Sequence, residues 1–260
     1  MPPPNRVALG PLSRTVLDGA AWRESSAYPA SQPWADELER LSAFLVAQGE
    51  FERFLPSLRG KESQRGGALA EIRFAYFMHC NGFSILEWEP EAVPGRPGDL
   101  SVSWQGSAAI FAEVKGPGWE GELTDEELDR GRKAQGKYVD LEVRAVDSIG
   151  PILYAIDKSL PKLAPGRANL VAIVDDLNIS PTALPEGWLE GSVHEHLAQP
   201  AAQLVSGVFF LRPELYHGEP LEYLHRFVNN PAATTPLPSH VRDGWLAANS
   251  NRQGPRWAPQ

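Results

Sequence analysis

Residues 98–116 read GDLSVSWQGSAAIFAEVKG, and this stretch carries the strongest structural signal in the chain. Apolar and polar residues alternate after Asp99, residues 104–107 (WQGS) are typical of a turn, and an apolar run follows at residues 108–112. The stretch therefore predicts a β-hairpin.

Three charged side chains lie at the open end of this predicted hairpin. Residues two apart in a strand share a face, so Glu113 and Lys115 project together while Val114 points into the core. The hairpin brings Asp99 alongside them. Gathering two carboxylates and an ammonium there is costly, and a bound divalent metal is the commonest compensation. An ion pair on an edge strand would account for Glu113 and Lys115 but leaves Asp99 unexplained.

Helices are predicted on both sides of the hairpin. The first runs from about residue 63 to residue 80 and sets Glu71 among apolar neighbours. On this helix alone, a surface glutamate paired with a nearby arginine is the favoured interpretation. The second, at residues 125–138, carries several polar and basic side chains just downstream of the acidic cluster, where a solvated face is the usual outcome.

The remaining patterns complete an α/β fold. Further strands are predicted at residues 83–90, 168–176 and 206–213, and further helices at residues 34–55 and 145–163. A hairpin followed by a helical crossover into later strands implies a mixed central β-sheet flanked by helices. We divide the chain into an N-terminal arm and helical extension (1–60), a core domain (61–215) and a partly flexible C-terminal extension (216–260).

Composition limits the class of protein. The 260 residues include 33 acidic residues against 24 Lys plus Arg, a net charge of −9, which argues against a protein that coats nucleic acid through a basic surface. A nucleic-acid enzyme remains open, since its basic groups need only line one groove. The single cysteine, Cys80, excludes an internal disulfide, and no run approaches the about 20 apolar residues of a membrane span. We therefore expect a cytoplasmic protein with no membrane partner.

This arrangement resembles the PD-(D/E)xK nuclease superfamily, with its restriction-endonuclease-like core. Pro97-Gly98-Asp99 matches the PD element with one additional residue, and Glu113-Val114-Lys115 matches the ExK element. Glu71 matches the glutamate of the first core helix. Gln135 resembles the helical glutamine of the branch that contains phage exonucleases and junction resolvases. The resemblance covers about residues 66–211.

The resemblance implies a metal-dependent nuclease that hydrolyses phosphodiester bonds, with DNA as the expected nucleic acid. Hard oxygen ligands select Mg²⁺ or Mn²⁺. Asp99, Glu113 and the main-chain carbonyl of Val114 would hold the metal, and Glu71 would complete the site as a ligand of a second metal or through a bound water. Lys115 would orient the attacking water and stabilise developing negative charge. The expected contacts to substrate phosphates are Gln135, Lys133 and Lys137.

A second hypothesis is a catalytically silent protein that keeps a nuclease-like fold for binding or scaffolding within a complex. The intact set of carboxylates and lysine favours the nuclease. The acidic net charge and the acidic residues 120–129 favour a narrow substrate, a homodimer or partner subunit, or the scaffold. His194-Glu195-His196 does not have the HExxH spacing and is interpreted as a surface cluster, with a zinc site as the alternative.

Overall fold

The computed structural model describes residues 7–18, 32–116, 149–174, 187–214 and 222–242. These residues form an α/β fold around one six-stranded mixed sheet, in which the strands lie in chain order. The strands are β1 Phe83–Trp88, β2 Leu100–Trp104, β3 Ile110–Lys115, β4 Ala168–Val174, β5 Gly207–Glu214 and β6 Glu222–Asn229. The helices are α1 Pro11–Leu17, α2 Gln32–Gln48, α3 Phe51–Arg59, α4 Glu62–Cys80, α5 Gly150–Ser159 and α6 Trp188–Leu197, with 3₁₀ turns at Leu160–Lys162 and Pro200–Ala202. Among these helices, none has the length and apolar character of a membrane-crossing segment.

The hairpin forms as its sequence predicts. β2 pairs antiparallel with β3, with Leu100 opposite Ala112, and β1 pairs antiparallel with β2. The turn lies at Gln105 and Gly106, whose φ angles of 49° and 73° are those that a tight hairpin turn requires. β3, β4 and β5 run parallel, and β6 returns antiparallel to β5. β3 is therefore a central strand, paired on both sides.

The two faces of β3 belong to two different cores. Ile110, Ala112 and Val114 pack with α4 and the N-terminal helices, whereas Phe111 packs with α5 and α6. Because side chains alternate along a strand, Glu113 lies on the same face as Phe111. The crossover helix α5 thus covers the face of the sheet that carries this carboxylate.

The N-terminal region differs from the expected arm followed by one long helix. Residues 11–17, which belong to the expected N-terminal arm, form α1, which packs against α2. The helix expected at residues 34–55 is two helices, because the chain turns at Gly49 with a φ of 78°, a conformation that favours glycine. The second of these helices, α3, continues beyond residue 55 to Arg59 with Pro56 inside it.

A buried network joins the beginning and the end of the described chain. Arg73 of α4 donates from Nε and Nη2 to the two carboxylate oxygens of Glu37 on α2, each at 2.9 Å. Tyr223 Oη of β6 donates to Glu37 Oε1 at 2.6 Å. β6 thus joins the sheet and this network, although it lies in the segment expected to be a partly flexible extension. The division of the chain at residues 60 and 215 stays a prediction.

Candidate active site

Asp99 lies immediately before β2 and is fixed by the backbone around it. Its Oδ2 accepts a hydrogen bond from the N–H of Val114 at 2.6 Å, and its carbonyl accepts one from the N–H of Glu89 at 3.0 Å. Gly98 allows the chain to pass against the ring of Phe111, because a Cβ at this position would overlap the ring. The Asp99 carboxylate is therefore held against the end of β3.

Glu113 is 0% exposed in the centre of the sheet. Two ammonium groups approach its Oε1, those of Lys115 and Lys162, and the Nζ of Lys162 is 2.7 Å away. Its Oε2 is buried and has no hydrogen-bond partner among the described residues. An ion pair on an edge strand is therefore the wrong explanation for this glutamate, since β3 has no free edge.

Glu71 projects from α4, and its side chain is 17% exposed. Its Oε1 lies 3.6 Å from Nη2 of Arg53, an ion pair that is too long for a hydrogen bond. Burial, and then the negative charge of Asp99, raise the pKa of Glu71 to about 8, although Arg53 acts in the opposite direction. The helix alone favoured a surface glutamate paired with a nearby arginine; the structure instead largely covers the side chain and places Arg53 of α3 near it.

Arg53 brings a guanidinium to the site from α3, outside the predicted core domain. Its Nε is 2.6 Å from Glu50 Oε2, and its Nη1 is 2.9 Å from Glu89 Oε1. The guanidinium carbon lies 4.2 Å from the ring centre of Phe54 and 5.1 Å from that of Trp88. Two rings and two carboxylates thus fix the orientation of this cation.

Negative charge in the site is shared by three carboxylates. The charge of Asp99 contributes to the raised pKa of both Glu71 and Glu113, so the three groups lie within electrostatic reach of one another. Burial is the main cause of the raised pKa of Glu113, and it outweighs Lys115 and Lys162, which act in the opposite direction. Burial alone would lower the pKa of Lys162, but the bond to Glu113 and the charges of Asp99 and Glu71 raise it. The site therefore favours additional positive charge.

The oxygen atoms that the site offers as metal ligands suit a hard divalent cation. Carboxylate oxygens are the ligands that Mg²⁺ and Mn²⁺ prefer, and Glu113 Oε2 is a buried acceptor with no donor in the described part of the chain. Within that part, no three His, Cys, Asp or Glu side chains are grouped closely enough to hold a metal ion. Mg²⁺ is commonly bound by one or two carboxylates, with water and substrate phosphates as its other ligands. Asp99 and Glu113 could therefore offer two carboxylate ligands, and the described residues offer no closed protein cage.

The structure brings together some of the predicted site residues. Asp99, Glu113, Lys115 and Glu71 share one neighbourhood, and the carbonyl of Val114 accepts a hydrogen bond from Lys115 Nζ at 3.3 Å. The three expected phosphate contacts lie outside the described residues: Lys133, Gln135 and Lys137.

Two cations of the site, Lys162 and Arg53, were not predicted from the sequence. Each lies at an ordinary position in or beside a helix, and no local motif distinguishes it. A weak signal exists for Lys162, because the crossover between two parallel strands must pack on one face of the sheet. That face carries Glu113, so a lysine at the end of the crossover was a candidate partner.

His194 and His196 lie on the regular helix α6. The Nε2 of His194 is 3.0 Å from the carbonyl of Asn229, and the Nε2 of His196 is 2.8 Å from Oδ1 of Asp157. Residues two apart on a helix do not face each other. The two rings therefore bind separate partners, which favours the surface cluster over the zinc site.

No known protein family, no characterised protein and no solved structure matches the chain. The interpretation of the site therefore depends on the chemistry of its own residues.

Proposed function

We propose that the protein is a metal-dependent nuclease that hydrolyses phosphodiester bonds, with DNA as the expected substrate. The environment of Glu113 is the observation that supports this proposal. Glu113 is a fully buried carboxylate on a central strand, with two lysines at one oxygen and no donor in the described chain at the other. Burying a charge in this way costs free energy that an apolar residue would not cost. A site that binds a cation and an anion explains why the carboxylate and both lysines are there.

The arrangement of the strands supports the same proposal. Asp99 precedes β2, Glu113 lies on the adjacent β3, and a helical crossover continues in parallel to β4. Glu71 comes from the helix that covers the opposite face of β3. A PD-(D/E)xK nuclease with a restriction-endonuclease-like core would require this placement of its two strand carboxylates and its helical glutamate.

Each residue has a role in the proposed reaction. Water adds to phosphorus and one P–O ester bond breaks; the attacking water releases a proton to bulk solvent, and the departing oxygen takes one from it. Asp99 and Glu113 would hold Mg²⁺ or Mn²⁺ beside the Val114 carbonyl, and the metal would neutralise charge on the phosphate. The ammonium of Lys115 donates to the attacking water or to a phosphate oxygen, and so stabilises the negative charge that develops. Glu71 would complete the site through a bound water or as a ligand of a second cation, and the charge of that cation would favour loss of the proton that burial retains.

One observation favours a second candidate, the catalytically silent scaffold. Lys115 and Lys162 already neutralise Glu113, and the described residues contain no group of three metal-ligating side chains. In a scaffold, the two ammonium groups would replace the metal permanently. The two candidates therefore differ in whether a divalent cation can displace the lysines from this carboxylate.

Cleavage assays distinguish the two candidates. The wild type, Asp99→Asn and Lys115→Met are incubated with plasmid, linear and single-stranded DNA and with RNA, each with Mg²⁺ or Mn²⁺. Glu52→Gln and Lys158→Met remove charges from exposed positions on α3 and α5 and are the matched controls. A nuclease gives metal-dependent cleavage that falls on the order of 100-fold in the two site variants and is unchanged in the controls. Equal cleavage by all five proteins would refute the assignment, and no cleavage by any of them would favour the scaffold.

A further inference from the structure

Lys162 is a charged residue of the site whose role the resemblance does not supply. We propose that Lys162 binds the substrate phosphate that is cleaved, as a second ammonium beside Lys115. This inference rests on the proposed nuclease function and adds a substrate contact to it. The contact comes from the crossover between β3 and β4 rather than from the hairpin.

Lys162 lies between the buried carboxylate of Glu113 and solvent. It ends the 3₁₀ turn that follows α5, and its Nζ is 2.7 Å from Oε1 of Glu113. The side chain of Lys162 is 33% exposed and that of Lys115 is 24% exposed, whereas Glu113 is 0% exposed. An anion that approaches from solvent therefore meets the two ammonium groups before it meets the carboxylate.

The contacts of Glu113 are unequally divided between its two carboxylate oxygens. Two ammonium groups share Oε1 of one carboxylate, while Oε2 of Glu113 has no donor among the described residues. A lysine ammonium has three donors and no acceptor, so each needs an acceptor when the carboxylate is taken by a metal. A phosphodiester provides two non-bridging anionic oxygens, one for each ammonium, and charge-assisted bonds of this kind are strong.

A purely structural role makes a different prediction. If Lys162 only positions Glu113, its loss should weaken both metal binding and cleavage. If Lys162 binds the phosphate, its loss removes a cation that competes for Glu113. In that case metal binding stays the same or becomes tighter, while substrate binding and cleavage become weaker.

The test compares Lys162→Met with Lys158→Met, which removes the same charge from an exposed position on α5. Mn²⁺ alone is titrated into each protein by calorimetry. Binding of a phosphorothioate DNA duplex, which resists hydrolysis, is measured by fluorescence anisotropy, and cleavage of the normal duplex is measured in parallel. Lys162→Arg keeps the positive charge and is the rescue variant. If Lys162→Met does not fold, Lys162→Gln, which keeps a polar contact, takes its place in the same measurements.

We expect Lys162→Met to bind Mn²⁺ at least as tightly as the wild type. It should cleave DNA on the order of 100-fold more slowly and bind the phosphorothioate duplex about 10-fold more weakly. Lys158→Met should match the wild type, and Lys162→Arg should recover much of the loss. Wild-type cleavage and duplex binding by Lys162→Met would overturn this inference and leave the proposed function standing. Parallel loss of Mn²⁺ binding and cleavage would also overturn it. Absence of cleavage by the wild type itself would refute the proposed function, and this inference with it.

Discussion

Glu71 should cost the folded protein stability at neutral pH, and Glu71→Gln should remove that cost. Burial and the charge of Asp99 raise the pKa of Glu71 from 4.5 to about 8. A carboxyl whose pKa is raised by folding binds a proton in the native state that the unfolded chain has released. The free energy of unfolding therefore falls as the pH rises from about 4.5 to about 8, and stays constant above that range.

The size of this destabilisation follows from the difference between the pKa of Glu71 in the unfolded chain and its pKa in the folded protein. Each tenfold difference in proton affinity corresponds to about 1.4 kcal/mol. At pH 7 the native state should therefore be destabilised by about 3 kcal/mol, and at pH 5 by about 1 kcal/mol. Glutamine resembles the protonated carboxyl in shape and lacks the charge, so Glu71→Gln should be more stable than the wild type by these amounts.

Urea denaturation in a metal-chelating buffer, at pH 5, 6, 7 and 8, measures this difference. Glu52→Gln makes the same change at an exposed position on α3 and should follow the wild type at every pH. The reasoning is refuted if Glu71→Gln is no more stable than the wild type at pH 7. It is also refuted if the difference between the two proteins does not grow between pH 5 and pH 8.

Three further substitutions test the packing of the N-terminal helices and of the hairpin. Arg73→Met leaves the buried carboxylate of Glu37 without its bidentate partner and should lower the free energy of unfolding in urea by about 3–5 kcal/mol. Burial raises the pKa of Glu39, but hydrogen bonds from the first turn of α1 lower it overall. The contribution of Glu39 to the free energy of unfolding is therefore present above pH 4.5 and lost at lower pH. Glu39→Gln should remove this contribution of less than about 1 kcal/mol, which urea unfolding measured over a pH series would detect. Gly98→Ala should cost about 1–3 kcal/mol in thermal or urea unfolding, because the added methyl overlaps the ring of Phe111.

Each of these predictions has an outcome that contradicts it. A loss of less than about 1 kcal/mol for Arg73→Met would mean that the buried pair is not the connection between α2 and α4. A stability difference for Glu39→Gln that grows as the pH falls would have the wrong sign. Gly67→Ala, which places its methyl in open space on α4, is the control for Gly98→Ala. Equal stability of these two alanine variants would contradict the close approach to the ring.

The hairpin and its charged end could be predicted because their signals are local. Alternation, the turn at Gln105-Gly106 and an apolar run each depend only on neighbouring residues, and the structure forms β2 and β3 from them. The two-residue spacing of Glu113 and Lys115 fixes their common face. Asp99 follows from the hairpin pairing, which brings it to the end of β3.

The positions of Arg53 and Lys162 in the site could not be predicted, because they depend on how elements distant in the sequence pack together. Arg53 reaches Glu71 only because α3 docks on α4, and Lys162 reaches Glu113 only because α5 covers that face of β3. The burial of Glu71 likewise requires the N-terminal helices, which lie outside the residues that carry the family resemblance. A pattern read along one helix cannot tell a solvated glutamate from one that another helix covers.

The Glu37–Arg73–Tyr223 network also bears on when the packing of the fold can be completed during synthesis. Tyr223 lies 186 residues after Glu37. At a synthesis rate of about 5–20 residues per second, roughly 10–40 seconds pass between the addition of these two residues on the ribosome. Until then, the Glu37 carboxylate lacks its tyrosine donor and β5 lacks its antiparallel partner β6. The buried network that joins α2 and α4 is therefore complete only after β6 has been made.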